Sequence, residues 1–201
     1  MKKLLTVAAG LAITCLVVAF PRVSSAASDS INIGVGGAVA PDTSASAFFG
    51  EYEHALGNKV SVLGRVGGVN YSYDDGTYAE DGDVKGADIG VRIYPGGGMK
   101  GFFFGAGAGI WTSDWTFIDD KGTFYETRGK GTSDAVRLDL EVGGRFPLGS
   151  GPVSLMPSFH LVNFFSTGNT CTFTKGATGS CSNETDLGVY TLVSVSAGFA
   201  F

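Results

Sequence analysis

The chain is all-β, and its pattern predicts an eight-stranded antiparallel up-and-down transmembrane β-barrel. Three observations carry that prediction. The last segment, Leu187–Phe201, alternates strictly: Leu187, Val189, Thr191, Val193, Val195, Ala197, Phe199 and Phe201 fall on one face, with Ser194, Ser196, Gly198 and Ala200 between them. A period of two over such a length is a strand with one apolar face. Further runs of the same kind recur through the chain, no segment shows a helical period, and the connections alternate between short and long.

The amino terminus comes first. Lys2 and Lys3 precede an apolar run from Leu4 to Phe20, followed by Pro21 and the small residues Ser24, Ser25, Ala26 and Ala27. This is the layout of a secretory signal peptide, residues 1–26 with the cut after Ala26 or Ala27, and it is preferred to a retained transmembrane helix because the run is short and a small-residue site follows. Cys15 leaves with it. The barrel domain is then 27–201. Cleavage removes three basic residues and no acid, lowering the basic count from 14 to 11 against 19 acidic side chains, a net charge of about −8. Such a balance excludes nucleic acid as a partner.

The strands are placed at Ser30–Ala40, Ser46–Leu56, Val60–Tyr71, Ala87–Tyr94, Gly101–Thr112, Ser133–Phe146, Val153–Phe164 and Leu187–Phe201. Gly57–Lys59, Pro95–Lys100 and Pro147–Pro152 link them by short turns built of turn-forming residues. Ser72–Gly86, Ser113–Thr132 and Phe165–Asp186 are expected as long polar loops, and Pro41–Ala45 as a short first link. Short turns at one end and long loops at the other are the layout of an outer-membrane barrel with periplasmic termini and extracellular loops.

Alternation then assigns the faces. Ile31, Ile33, Val35, Val66, Ile89, Val91, Phe102, Phe104, Leu138, Leu140, Phe159 and Leu161 face outward. The opposite face carries Glu51, Glu53, Arg65, Asp88, Arg92, Arg137, Asp139, Glu141, Arg145 and His160. An eight-stranded barrel leaves a lumen that side chains alone can fill, and ions buried there must be paired. A salt-bridged plug follows from the near balance of signs. A soluble lipocalin-like barrel would need the faces exchanged. Tyr71, Tyr73, Tyr78, Trp111, Trp115, Phe164 and Phe165 at the loop side, and Tyr94, Phe146, Phe199 and Phe201 at the turn side, are expected to form interfacial aromatic girdles.

The tail Phe199-Ala200-Phe201 and the unit Val91–Gly109, VRIYPGGGMKGFFFGAGAG, resemble small bacterial outer-membrane barrels: the OmpX-like and opacity-protein-like families and the transmembrane domain of OmpA. The resemblance implies insertion into the cell outer membrane with Phe199 and Phe201 as the insertion signal. It implies export through the periplasm, delivery by the barrel-assembly machinery, and roles in adhesion, stress tolerance or envelope integrity. The implied partners are outer-membrane lipid, lipopolysaccharide and an extracellular ligand or host surface, with the chain a monomer.

Other constellations are weaker. Cys171 and Cys181, the two cysteines of the exported chain, lie in one outer segment and are expected to form a disulfide during export. His160-Leu161-Val162-Asn163 is similar to the His-x-Ser-Asn motif of PagL-type lipid A deacylases, but valine replaces the nucleophilic serine, and the spacing of Ser158 and Ser166 differs from the motif. No catalytic residue, cofactor or metal site is therefore expected. The acids Asp74, Asp75, Glu80, Asp81 and Asp83 lack calcium-loop spacing and are expected in a solvated loop. Gly105–Gly109 precedes no helix and is expected to make room for Arg92 and Arg137. Around Asp119–Gly122, the segments Trp115–Ile118 and Thr123–Thr127 are expected to form a projecting hairpin. The function expected is a structural or surface-interaction role, with a narrow porin and a lipid A-modifying hydrolase as alternatives.

Overall fold

The computed structural model describes residues 29–40, 43–176 and 189–201; the signal-peptide assignment and Cys181 lie outside them. The described chain is one closed antiparallel barrel of eight strands in sequence order. These are β1 (Asp29–Ala40), β2 (Thr43–Ala55), β3 (Val60–Asp74), β4 (Ala79–Ile93), β5 (Gly101–Asp119), β6 (Thr127–Pro147), β7 (Val153–Lys175) and β8 (Val189–Ala200). Closure pairs Ser30 with Ala200 and Ile33 with Ala197. Followed around the barrel, the row through Ile33, Gly50, Val66, Ala87, Ile110 and Val136 reaches β7 at Phe165. In the other direction, through Ala197, it reaches β7 at Leu155. That offset is the stagger a tilted, closed sheet requires.

The largest departure from the sequence reading concerns the long links. Most of Ser72–Gly86, Ser113–Thr132 and Phe165–Lys175 is strand, and the connections shrink to 75–78 and 120–126. β5, β6 and β7 reach 19, 21 and 23 residues, against the ~9–11 that a tilted strand needs to cross a bilayer. The asymmetry is one of strand length. The acids predicted in a loop are dispersed accordingly: Asp74 ends β3, while Glu80, Asp81 and Asp83 belong to β4, so they form no common cluster. The projecting hairpin pairs Asp119 with Thr127 and Trp115 with Gly131, so its second arm is Thr127–Gly131. The strand resumes after the first link at Thr43, paired with Ala40.

The outer face locates the membrane. Apolar outward positions run from Phe102 to Ile110 on β5, from Phe146 back to Val136 on β6 and from Val153 to Phe165 on β7. One step further out the paired row reads Lys85, Thr112, Asp134 and Gly168, and the next reads Asn70, Asp83, Asp114, Thr132 and Thr170. Exposed Phe102 (72 %) and Ile33 (70 %) would be costly in water across so large a patch. The apolar band belongs in a bilayer, and the polar ends of β3–β7 stand beyond it.

A bulge resets one strand. Ala135 pairs with Ser166 but Asp134 with Gly168, so Thr167 is the extra residue of β7. Parity inverts there, turning Cys171 and Phe173 inward above it, where His160, Val162 and Phe164 face inward below.

Candidate functional site

Inward parity on successive strands stacks the charged residues in rows along the barrel axis. Glu51, Arg65, Asp88, Gly109 and Arg137 form one row; Ser61, Arg92, Gly105, Glu141 and His160 form another, nearer the periplasm. The glycines are spatially required. A methyl group on Gly105 would come within 3.1 Å of Glu141 Oε2 and 3.3 Å of Arg92 Cγ, and one on Gly109 within 2.2 Å of Asp88 Oδ1.

All ten charged or histidine side chains singled out from the sequence are buried in this lumen. Arg65 donates to Glu51 (2.9 Å), Asp139 (2.9 Å) and Glu141 (3.2 Å). Arg92 lies at the centre, donating to Glu51 (2.9 Å), Glu53 (3.1 Å) and Glu141 (2.8 Å). Arg137 bridges Asp88 (2.7 Å) and Asp139 (3.1 Å), and Arg145 closes the periplasmic end on Glu53 (2.5 Å). Remaining lone pairs are taken by neutral donors: Asn32 on Glu51, Ser61 and Tyr94 on Glu53, and Trp111 on Asp88. Such pairing is what makes buried ions tolerable, and among the described network groups Arg137 Nε is the buried donor left without a partner.

Each guanidinium also faces an aromatic ring: Arg65 on Phe49 (5.2 Å), Arg92 on Phe103 (4.7 Å), Arg137 on Trp111 (4.9 Å) and Arg145 on Tyr94 (5.9 Å). These rings correct the girdle assignment. Tyr94 is wholly buried, Trp111 and Trp115 nearly so, while Phe146, Phe165, Phe199 and Phe201 lie outside. Tyr94 shares the parity of Arg92, and Trp111 that of Gly109, so alternation had already placed them inward. Aromatic character near a strand end was the misleading signal. Phe49, Phe103, Asn32 and Ser61 went unassigned although the same parity rule finds them.

His160 sits where Asp139, Glu141 and two serines converge. Its Nδ1 lies 3.1 Å from Asp139 Oδ2, and its Nε2 lies 3.0 Å from Ser158 Oγ and 3.2 Å from Ser194 Oγ. Ser158 therefore reaches His160 despite the spacing that had set it aside, because residues two apart on a strand share a face. The arrangement has the connectivity of a Ser-His-Asp triad. The neighbouring cavity is about 30 Å³, and Ser158 Oγ is also hydrogen-bonded to Ser194 at 2.7 Å. That space admits about one water molecule. A second void, between Arg65 and Glu141, is about 10 Å³.

Above the plug, toward the extracellular end, the lumen opens into a chamber of about 260 Å³ lined by tyrosines, small aliphatic side chains and Glu80. Cys171 is buried further round this upper wall, in the row of Trp115 and Gly131. His54 lies at the periplasmic rim, 2.8 Å from Asp29 Oδ1, which also accepts from Tyr52. Among the described residues no group of three or more potential ligands could hold a metal ion.

A closed eight-stranded barrel with an apolar exterior and charged interior has the fold of the outer-membrane barrels, and solved structures agree. A major outer membrane protein from Thermus thermophilus superposes with a TM-score of 0.56 at 16 % identity, covering 86 % of this chain and 99 % of that one. Ail, the attachment invasion locus protein of Yersinia pestis, superposes at 0.52 with 13 % identity, covering 88 % and 100 %. No protein-family model matches the sequence, and no curated protein does.

Proposed function

We propose that this is an integral protein of the cell outer membrane with a structural and surface-interaction role: a barrel whose lumen is closed by ion pairs and whose extended strands contribute to envelope integrity or adhesion. The observation that carries this is the division of labour along the strands. Within the apolar band the lumen is filled, while beyond it β3–β7 offer a broad polar surface ending in Phe124 and Tyr125, exposed at 96 % and 76 % on the tip of the β5–β6 hairpin. The attachment recorded in the Yersinia barrel's name supports the adhesive half of this reading. In this scheme the chain is exported with loss of residues 1–26, assembled as a monomer by the barrel-assembly machinery among lipopolysaccharide, and locked by a Cys171–Cys181 disulfide.

The closed lumen is tested by planar-bilayer recording. Purified protein should give no steady single-channel conductance, and a reproducible open level would restore the porin reading. The serine–histidine–aspartate contact is the one observation favouring a hydrolase. Ser158→Ala is expected to leave the lipid A of overexpressing cells identical by mass spectrometry to that of cells with the parent protein, and both identical to the empty-vector control. Deacylation that depends on Ser158 would reverse the conclusion.

A further inference from the structure

The chamber above the plug is built around a carboxylate that has no counter-ion among the described residues. Glu80 faces inward on β4 and is held at both oxygens by phenols: Tyr71 donates to Oε1 and Tyr78 to Oε2, each at 2.5 Å. Tyr71 can lean across the wall because its cross-strand partner is Gly82, where a methyl group would meet the Tyr71 ring at 2.6 Å. The basic residues at this end are engaged elsewhere or face outward: Lys121 pairs with Asp74, Arg128 and Lys175 with Glu126, and Lys85 with Asp114. Residues 41–42 and 177–188 contain no lysine or arginine. No ion pair reaches Glu80 among the described residues.

Around this charge the walls are aromatic. Tyr190 packs edge-on to Phe164 at 6.3 Å, Tyr78 lies 6.2 Å from Tyr73, and Leu192 lines the same space. A carboxylate positioned by tyrosines within a box of ring faces is the chemistry that recognises an organic cation: the charge pairs with the ammonium, and the π-faces attract its alkyl or N–H surface. At about 260 Å³ the space is slightly smaller than the ~300–1,000 Å³ of pockets for drug-sized ligands.

We propose that the upper lumen is a binding site for a small organic cation, an amine with a compact apolar body, with Glu80 as the charge partner and Tyr71, Tyr78 and Tyr190 as the aromatic wall. The site depends on the barrel alone and is independent of any adhesive role. The test is a titration of the refolded full chain in lipid nanodiscs with phenethylamine, followed by intrinsic fluorescence and calorimetry, with 2-phenylethanol as the neutral analogue. Saturable binding of the amine is expected, weakened at least ten-fold in Glu80→Gln and several-fold in Tyr71→Phe, with the alcohol bound more weakly and equally by parent and Glu80→Gln. Heat-modifiable migration checks that each variant is folded, and Tyr71→Phe serves alone if Glu80→Gln does not fold. Absence of saturable amine binding by the parent, equal affinity in the folded variants, or equal affinity for the alcohol would each overturn the proposal.

Discussion

Arg92 shows what a single residue does in this barrel. Its guanidinium bridges three carboxylates supplied by two strands, Glu51 and Glu53 from β2 and Glu141 from β6, while its face lies on Phe103. Removing one partner from a buried ion pair leaves uncompensated charge, which typically costs ~3–5 kcal/mol. Arg92→Met is therefore expected to lower the urea midpoint of the folded barrel in vesicles substantially, with the loss reduced when Glu51→Gln is added. An unchanged midpoint in the single variant would show that water or counter-ions already screen the network. Phe201 is the residue to which the sequence reading assigns the insertion signal. Its backbone pairs with Asp29 at the periplasmic rim and its ring faces outward. Deleting it is expected to abolish heat-modifiable migration of the newly made protein, and normal folding without it would place the insertion signal elsewhere.

At the scale of elements, the β5–β6 hairpin beyond the membrane is held by polar contacts. Glu126, at its tip, accepts the Gly122 backbone N–H and pairs with Lys175 and Arg128, so these contacts hold its carboxyl down to about 2 from the usual 4.5. A depressed carboxylate pKa means that the ionised form is the one the folded hairpin favours. Its contribution is complete above pH ~4.5 and is lost as pH falls through about 2. Carboxyl NMR of Glu126 should show that titration, and Lys175→Met should move it upward. A midpoint at the ordinary value in the parent protein would mean that the tip is not docked on β7. The bulge at Thr167 acts on the same region, since without it the parity of β7 would turn Cys171 and Phe173 to the outside.

For the whole molecule, the apolar exterior and charged interior are the inverse of a water-soluble barrel. Alternation was legible in the sequence wherever lipid imposed it: Ile31, Ile33 and Val35, or Leu138, Leu140 and Val142, must be apolar because they meet hydrocarbon, and the residues between them are freed to be charged. Beyond the bilayer that constraint ends. Outward positions such as Asp83, Asp114, Thr132 and Thr170 become polar and inward ones become glycine, serine or aromatic, so the contrast between faces fades and long strands read as loops. The burial of Trp111 and Tyr94 was obscured for a related reason: an aromatic near a strand end suits an interface as well as a lumen.

The sequence by itself determined the eight strands, their order and the inward set of ten charged and histidine side chains, because a two-residue period against lipid leaves no other face for them. Tertiary structure alone decided which of those charges meet, that Ser158 reaches His160, that Glu80 stands in a tyrosine-walled chamber, and how far β4–β7 extend. Those outcomes depend on register and on the stagger of closure, which bring together residues far apart in the chain: Arg65 and Asp139, joined at 2.9 Å, are 74 positions apart.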